Sequence, residues 1–170
     1  MTNATLDSWN KASADDAIEA MIACCGARRW AAIMVASRPI ESVEELMAAA
    51  NSVWDTMEEP DWLQAFACHP RIGQRQAIHG SLKSAEWSQQ EQSTTMAAQD
   101  SVLAELTHGN KEYEERFGFT YIVCATGKTA EEMLDLLNRR LDGDRATELR
   151  QAAEQQRLIT QIRLRKWLAQ

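Results

Sequence analysis

The chain has 170 residues, a net charge of −7 and a pI of about 5.0, so it is long enough for one domain with a sizeable core and has no basic excess. That balance argues against nucleic acid as a partner, which would need a clustered positive face. Seven glycines and three prolines are few, and Ala, Glu, Gln and Leu are abundant, which points to an all-α fold.

In chain order, Met1-Thr2-Asn3-Ala4-Thr5-Leu6-Asp7 lacks a charged run followed by an apolar one, so no secretory leader is expected. Ser13 suits the N-cap of a helix reaching Cys25, with Asp15 and Asp16 at its positive end and Gly26 as its stop. Residues 28–36 read as a short helix closed before Arg38-Pro39. Ser42-Val43-Glu44-Glu45 has the capping-box pattern and opens a helix to about Met57, with Val43, Leu46, Met47, Ala50 and Trp54 on one stripe. Glu59-Pro60-Asp61 starts a helix that ends at His69, because Pro70 removes a backbone donor and pushes His69 out of the helical region.

Residues 72–87 are mixed and polar and read as a loop. Ser88-Gln89-Gln90-Glu91 repeats the capping-box pattern and predicts a helix to about His108, stopped by Gly109. Residues 111–117 predict a short charged helix ending at Gly118. Residues 119–125 are β-prone but have no partner, so a buried extended segment is expected rather than a sheet. Thr129-Ala130-Glu131-Glu132 caps a helix to about Leu141; Asp142-Gly143-Asp144 turns, and Asp144 opens a long final helix to about Ala169. No apolar run approaches the ~18 residues of a membrane span. With no repeat, linker or low-complexity tract, residues 1–170 are expected to form a single domain.

The cysteines at 24, 25, 68 and 124 form no CxxC pair and have no zinc-like spacing with the histidines, so no metal site is expected. Reduced thiols in a cytoplasmic setting follow. Cys24, Cys25 and Cys124 read as core. Cys68 adjoins His69, but a catalytic pair needs spatial convergence that sequence neighbours rarely provide. The six tryptophans read as core or interface anchors. Gly127-Lys128-Thr129 lacks the spacing of a phosphate-binding loop.

Three residues carry possible chemistry. His69 has an unperturbed pKa near 6.5, suited to proton transfer, although a histidine at a helix end is more often structural. His79 and His108 read as exposed or capping. Glu91 is either a capping glutamate or, at about 100° per residue, part of an inward stripe with Thr95, Ala98, Val102 and Leu106. In the second case it lies at a helix start, where unsatisfied N–H groups favour an anionic substrate. Arg163 falls on the apolar face of the final helix with Leu149, Ala152, Ala153, Ile159, Leu164 and Trp167; Arg157 is at its margin and Arg165 outside it. A guanidinium there is a pairing group, a snorkelling one, or a bidentate carboxylate binder.

His69-Pro70-Arg71-Ile72-Gly73, Ser88-x-x-Glu91-Gln92, Arg116-Phe117-Gly118-Phe119, Ile122-Val123-Cys124-Ala125 and Ile162-Arg163-Leu164 stand in series. In that order and spacing the chain resembles the 2-oxo-4-hydroxy-4-carboxy-5-ureidoimidazoline (OHCU) decarboxylases, over roughly residues 10–168. The resemblance implies an all-α domain of about eight or nine helices with a long C-terminal helix, commonly a homodimer. It implies cofactor-independent conversion of OHCU to (S)-allantoin and CO2, the last step of urate breakdown to allantoin. By motif, the catalytic residues would be His69, Glu91 and Arg163. Substrate binding would involve Pro70, Ser88 and Gln92, and backbone at Tyr121, Ile122, Val123, Cys124 and Ala125. Trp87 directly before the serine, and Ser93-Thr94 after Gln92, depart from the family pattern. His69 would act as general acid and base at the substrate's C4 hydroxyl and adjoining carboxylate. Glu91 would hold ureido or ring N–H groups, and Arg163 a carboxylate or carbonyl oxygen.

On the residues alone two rivals stay open. A non-catalytic helical interaction module would explain the tryptophans and acidic surface. A metal-dependent hydrolase would use His69, His79 and Glu91, although the loop between them has no recognisable ligand spacing.

Overall fold

The computed structural model describes residues 3–72, 82–91 and 100–170. Among them it has nine helices and no strand: α1 (Ala4–Lys11), α2 (Ala14–Cys25), α3 (Arg28–Ala36), α4 (Val43–Trp54), α5 (Glu59–Ala67), α6 (Leu82–Glu91), α7 (Asp100–Phe117), α8 (Ala130–Leu141) and α9 (Arg145–Leu168). The expected all-α class with a long C-terminal helix is what is found. None of the described helices is long and apolar enough to cross a membrane. The chain divides into two compact units, residues 3–65 with 157–170, and the described residues of 66–156.

In the first unit the helix boundaries follow local chemistry. Ser13 Oγ accepts from Asp16 N (3.1 Å), and Gly26 closes α2 in the left-handed region at φ 87°. Ser42 Oγ accepts from Glu45 N (3.1 Å), while Glu45 reaches back to the N–H of Glu41 (2.8 Å). α1 is an element the sequence reading missed. Asn3 caps it, accepting from Leu6 N at 3.0 Å, and donates through Nδ2 to the carbonyl of Leu168 (3.0 Å). A helix of eight residues has little intrinsic stability; this one is held by burying Leu6 and Trp9. Two buried indoles find carbonyl partners, Trp9 Nε1 on Ala17 and Trp30 Nε1 on Ala50, each at 3.0 Å. The last turns of α9 lie along α4, where Gln161 Nε2 donates to Asn51 Oδ1 (2.9 Å) and Met47 O (3.2 Å).

In the second unit three expectations fail. Residues 72–87 are not all loop, because α6 already runs from Leu82. Ser88 lies inside that helix and is buried, so Ser88-x-x-Glu91 is not a capping box and no helix begins there. Ser84, Trp87, Ser88 and half-buried Glu91 share i, i+3, i+4, i+7 spacing and make an inner face that starts before Ser88. Gly109 does not end a helix either, since α7 continues through it to Phe117. A Cβ at 109 would lie 2.7 Å from Leu137 Cδ2 of α8, so the glycine serves close helix approach rather than termination. The expected break at Gly109 is therefore corrected: residues 100–108 and 111–117 belong to one helix, α7, while residues 92–99 of the expected 88–108 helix, with Thr95 and Ala98, lie outside the described residues.

The expected extended segment is present. Tyr121, Ile122, Val123, Cys124 and Ala125 are all buried, and none is in a strand. α8 opens with the full reciprocal box, Thr129 Oγ1 accepting from Glu132 N and Glu132 Oε2 from Thr129 N. Asp144 Oδ1 accepts from Thr147 N (3.0 Å) at the start of α9.

Candidate active site

His69 stands two residues beyond α5, where its own N–H still bonds to Phe66 O at 3.1 Å. Buried Pro70 follows, and the next two residues are anchored on α7. Asn110 Nδ2 donates to Ile72 O (3.1 Å), and the Arg71 guanidinium forks onto the Glu114 carboxylate, with Nε to Oε1 at 2.7 Å. The backbone carrying the imidazole is thus held on both sides. The ring itself is half-buried, and its Nε2 lies 2.7 Å from Oε1 of Gln156 on α9, within hydrogen-bond distance.

The next glutamine performs a related task. Gln155 Oε1 accepts from Cys124 N at 2.9 Å, so adjacent residues of α9 tie down both the His69 ring and the extended segment. A buried extended strip without a partner strand must satisfy its backbone through side chains. Lys128 Nζ donates to Cys124 O (2.8 Å), and Arg140 Nη1 donates to Ile122 O (2.6 Å). The structure therefore brings together His69, Gln156 and the strip containing five of the expected binding positions.

Arg140 belongs to a buried ionic cluster. Its Nε donates to Glu148 Oε2 (2.8 Å), the Tyr113 hydroxyl donates to the same carboxylate oxygen (2.6 Å), and the guanidinium lies 4.8 Å from the Tyr121 ring centroid. Arg140 and Glu148 are 6% and 2% exposed. Such a pair persists only when its donors and acceptors are satisfied, as they are here. Burial pushes the Tyr113 and Tyr121 hydroxyls well above the usual value of 10, outweighing the opposing pull of Arg140.

Glu91 is half-buried at the end of α6, on the same face as Trp87 and Ser88. Its inward orientation agrees with expectation, but its location does not: among the described residues it stands in the last turn of α6 rather than at a helix start. Arg163 is 1% exposed on α9, while Arg165 is exposed and Arg157 is intermediate, as the helical wheel predicts. Arg163 belongs to the first unit, whereas His69, Glu91 and residues 121–125 belong to the second. Gln92 and His79 lie outside the described residues. His108 is exposed in mid-α7, Cys24, Cys25 and Cys124 are buried, Cys68 is half-buried, and no disulfide links the four. Among the described residues no three His, Cys, Asp or Glu side chains cluster as metal ligands would. An open groove of about 590 Å³ is lined by Arg71, Ala104, Thr107, His108 and Lys111, none of them an expected site residue.

The sequence reading overlooked Gln155, Gln156, Arg140 and Glu148. Three of these gave a signal. Arg140 continues the buried stripe Met133, Leu137, Leu141, and Gln156 stands between Ala152, Ala153 and Thr160 on the buried face that also carries Arg163. Glu148 is buried beside Leu149. A helical wheel of α8 would have found Arg140, and the wheel of α9 that singled out Arg163 also carries Gln156 and Glu148.

Comparison with known proteins agrees with the motifs. The OHCU decarboxylase family model matches residues 10–165. The uric acid degradation bifunctional protein TTL of Arabidopsis thaliana is 38% identical over 84% of this chain, which spans only 44% of that protein's length. The OHCU decarboxylase of Amia calva is 29% identical over 79% of this chain and 77% of its own. A crystal structure of an OHCU decarboxylase in the presence of (S)-allantoin is 34% identical, with a TM-score of 0.78, over 89% of this chain and 99% of that one.

Proposed function

The chain belongs to the OHCU decarboxylase family, and on that premise we infer that it decarboxylates OHCU to (S)-allantoin and CO2 in purine catabolism. The observation that carries the reading is the family match across residues 10–165, joined to a structural likeness covering 99% of a solved OHCU decarboxylase.

The chemistry needs only groups of the kinds present. The C4–carboxylate bond of OHCU breaks and CO2 departs. Its electron pair forms C4=C5, and the C5=N pair moves onto the ring nitrogen, which takes a proton. The C4 hydroxyl then yields its proton as the carbonyl forms, and C5 receives one on a single face. The substrate supplies its own electron sink, so the protein's tasks are orientation and proton transfer. His69 takes the general acid and base role at the C4 hydroxyl and carboxylate. Glu91 holds ureido or ring N–H groups, and Arg163 binds a carboxylate or carbonyl oxygen through its planar fork. Pro70, Ser88 and Gln92, with the backbone of Tyr121, Ile122, Val123, Cys124 and Ala125, complete the substrate contacts. The resemblance supports these roles, as do the inward placements of Glu91 and Arg163 and the double restraint on His69.

We further place residues 1–170 as one OHCU decarboxylase-like domain, acting in the cytoplasm as a homodimer on a small molecule, without nucleic acid, membrane or cofactor. The net charge of −7 and the four cysteines outside any disulfide support the setting, and the family resemblance supports the dimer.

OHCU decays spontaneously to racemic allantoin. The test is therefore chiral analysis of allantoin generated from urate by uricase and the preceding hydrolase, with and without this protein. Faster OHCU loss with an excess of the S product is expected; racemic product at an unchanged rate overturns the reading.

A further inference from the structure

We propose that Gln156 is a positioning residue for His69: its side-chain oxygen keeps the imidazole proton on Nε2, so that Nδ1 is the nitrogen that exchanges a proton with substrate. The proposal rests on the proton-handling role given to His69 above. An amide oxygen only accepts, so the 2.7 Å contact to Oε1 requires Nε2 to be protonated. A neutral imidazole carries one ring proton, which leaves the basic lone pair on Nδ1. In the imidazolium form Nε2–H donates to the same oxygen. The bond therefore survives both protonation states, and Nδ1 can gain and lose a proton without reorganising its support.

Gln156 suits this task because it has no exposed surface, so water does not compete for its oxygen. Its neighbour Gln155 holds Cys124 N, which sets the imidazole and the extended strip in register from one turn of α9. The amide oxygen orients the ring and selects its tautomer by accepting from one nitrogen.

The experiment combines nitrogen NMR of the imidazole side chains in the full-length protein, with His69 assigned by loss of its signals in His69→Asn, and steady-state kinetics. Neutral His69 is expected as a single Nε2–H tautomer in the wild type and as a mixture in Gln156→Met. That variant should lose about tenfold or more in kcat, with KM within about twofold. Gln156→Glu, which keeps an acceptor oxygen at the same reach, should recover the single tautomer and most of kcat. An Nδ1–H tautomer in the wild type overturns the proposal without recourse to any variant. Wild-type kcat in folded Gln156→Met, beside an inactive His69→Asn, overturns it while leaving the role of His69 standing. Full turnover in His69→Asn removes both.

Discussion

Gly109 of α7 and Leu137 of α8 meet so closely that a methyl group at 109 would lie 2.7 Å from Leu137 Cδ2. Leu137 is fully buried, so displacing its side-chain end means repacking the close-packed neighbours around it. Gly109→Ala gains up to about 1 kcal/mol of helix propensity, but overpacking costs about 1–3 kcal/mol. Net destabilisation is expected in urea unfolding. Shortening the opposing side chain with Leu137→Ala should make the double variant more stable than the sum of the two single changes. Strict additivity would show that the two residues are not in close contact.

The buried Arg140–Glu148 pair predicts a large asymmetry. Arg140→Met leaves Glu148 buried without its cation and Ile122 O without its donor, so a loss of about 3–5 kcal/mol is expected. The double change Arg140→Met with Glu148→Leu should cost less than Arg140→Met alone, because the stranded charge is gone. Denaturant midpoints of the two variants decide it.

Tyr113 and Tyr121 are the chain's two tyrosines, and both have hydroxyl pKa values raised by burial. A raised folded value means stability is complete below the unfolded value near 10 and falls as pH rises above it, since the unfolded chain releases protons that the folded one keeps. Each tyrosine contributes a slope of up to about 1.4 kcal/mol per pH unit in that range. Tyrosinate absorbance should therefore appear together with loss of helical circular dichroism. Ionisation of the folded protein near pH 10 would contradict the burial of both hydroxyls.

For catalysis, His69→Asn should lower turnover by about 10²–10⁴-fold with the helical spectrum unchanged. Arg163→Lys keeps the charge but loses the fork, and should reduce kcat/KM by about 10–100-fold. Near-normal CO2 release by either variant on freshly generated OHCU would remove that residue from the proposed machinery.

Asn3 joins two functions, capping α1 and bonding Leu168 O. Asn3→Ala should cost about 1–2 kcal/mol, and Asn3→Ser, which restores only the cap, should recover part of it. Thermal unfolding of the two variants compares these contributions.

Most helix ends were legible because they depend on neighbours in sequence. Ser13, Gly26, Ser42, Thr129 and Asp144 act within a turn of themselves, and each stands where its residue type implied. The inward faces of Glu91 and Arg163 were legible for the same reason, since helical spacing sorts side chains without reference to a partner. Ser88 and Gly109 misled because both residue types have two meanings. A serine before x-x-Glu can start a helix or lie inside one, and a glycine can stop a helix or admit another. Only Leu137 across the helix interface reveals which applies at 109.

The sequence by itself determined the helical class, the His69–Pro70 break and, through five motifs in series, the family. Tertiary structure alone decided what holds that break and the strip beside it: Gln156 on the imidazole, Gln155 on Cys124, and Arg140 on Ile122. These partners are 87, 31 and 18 residues apart in sequence. No local propensity encodes them, because each exists only where folding removes water from a backbone or ring group and a distant side chain must replace it.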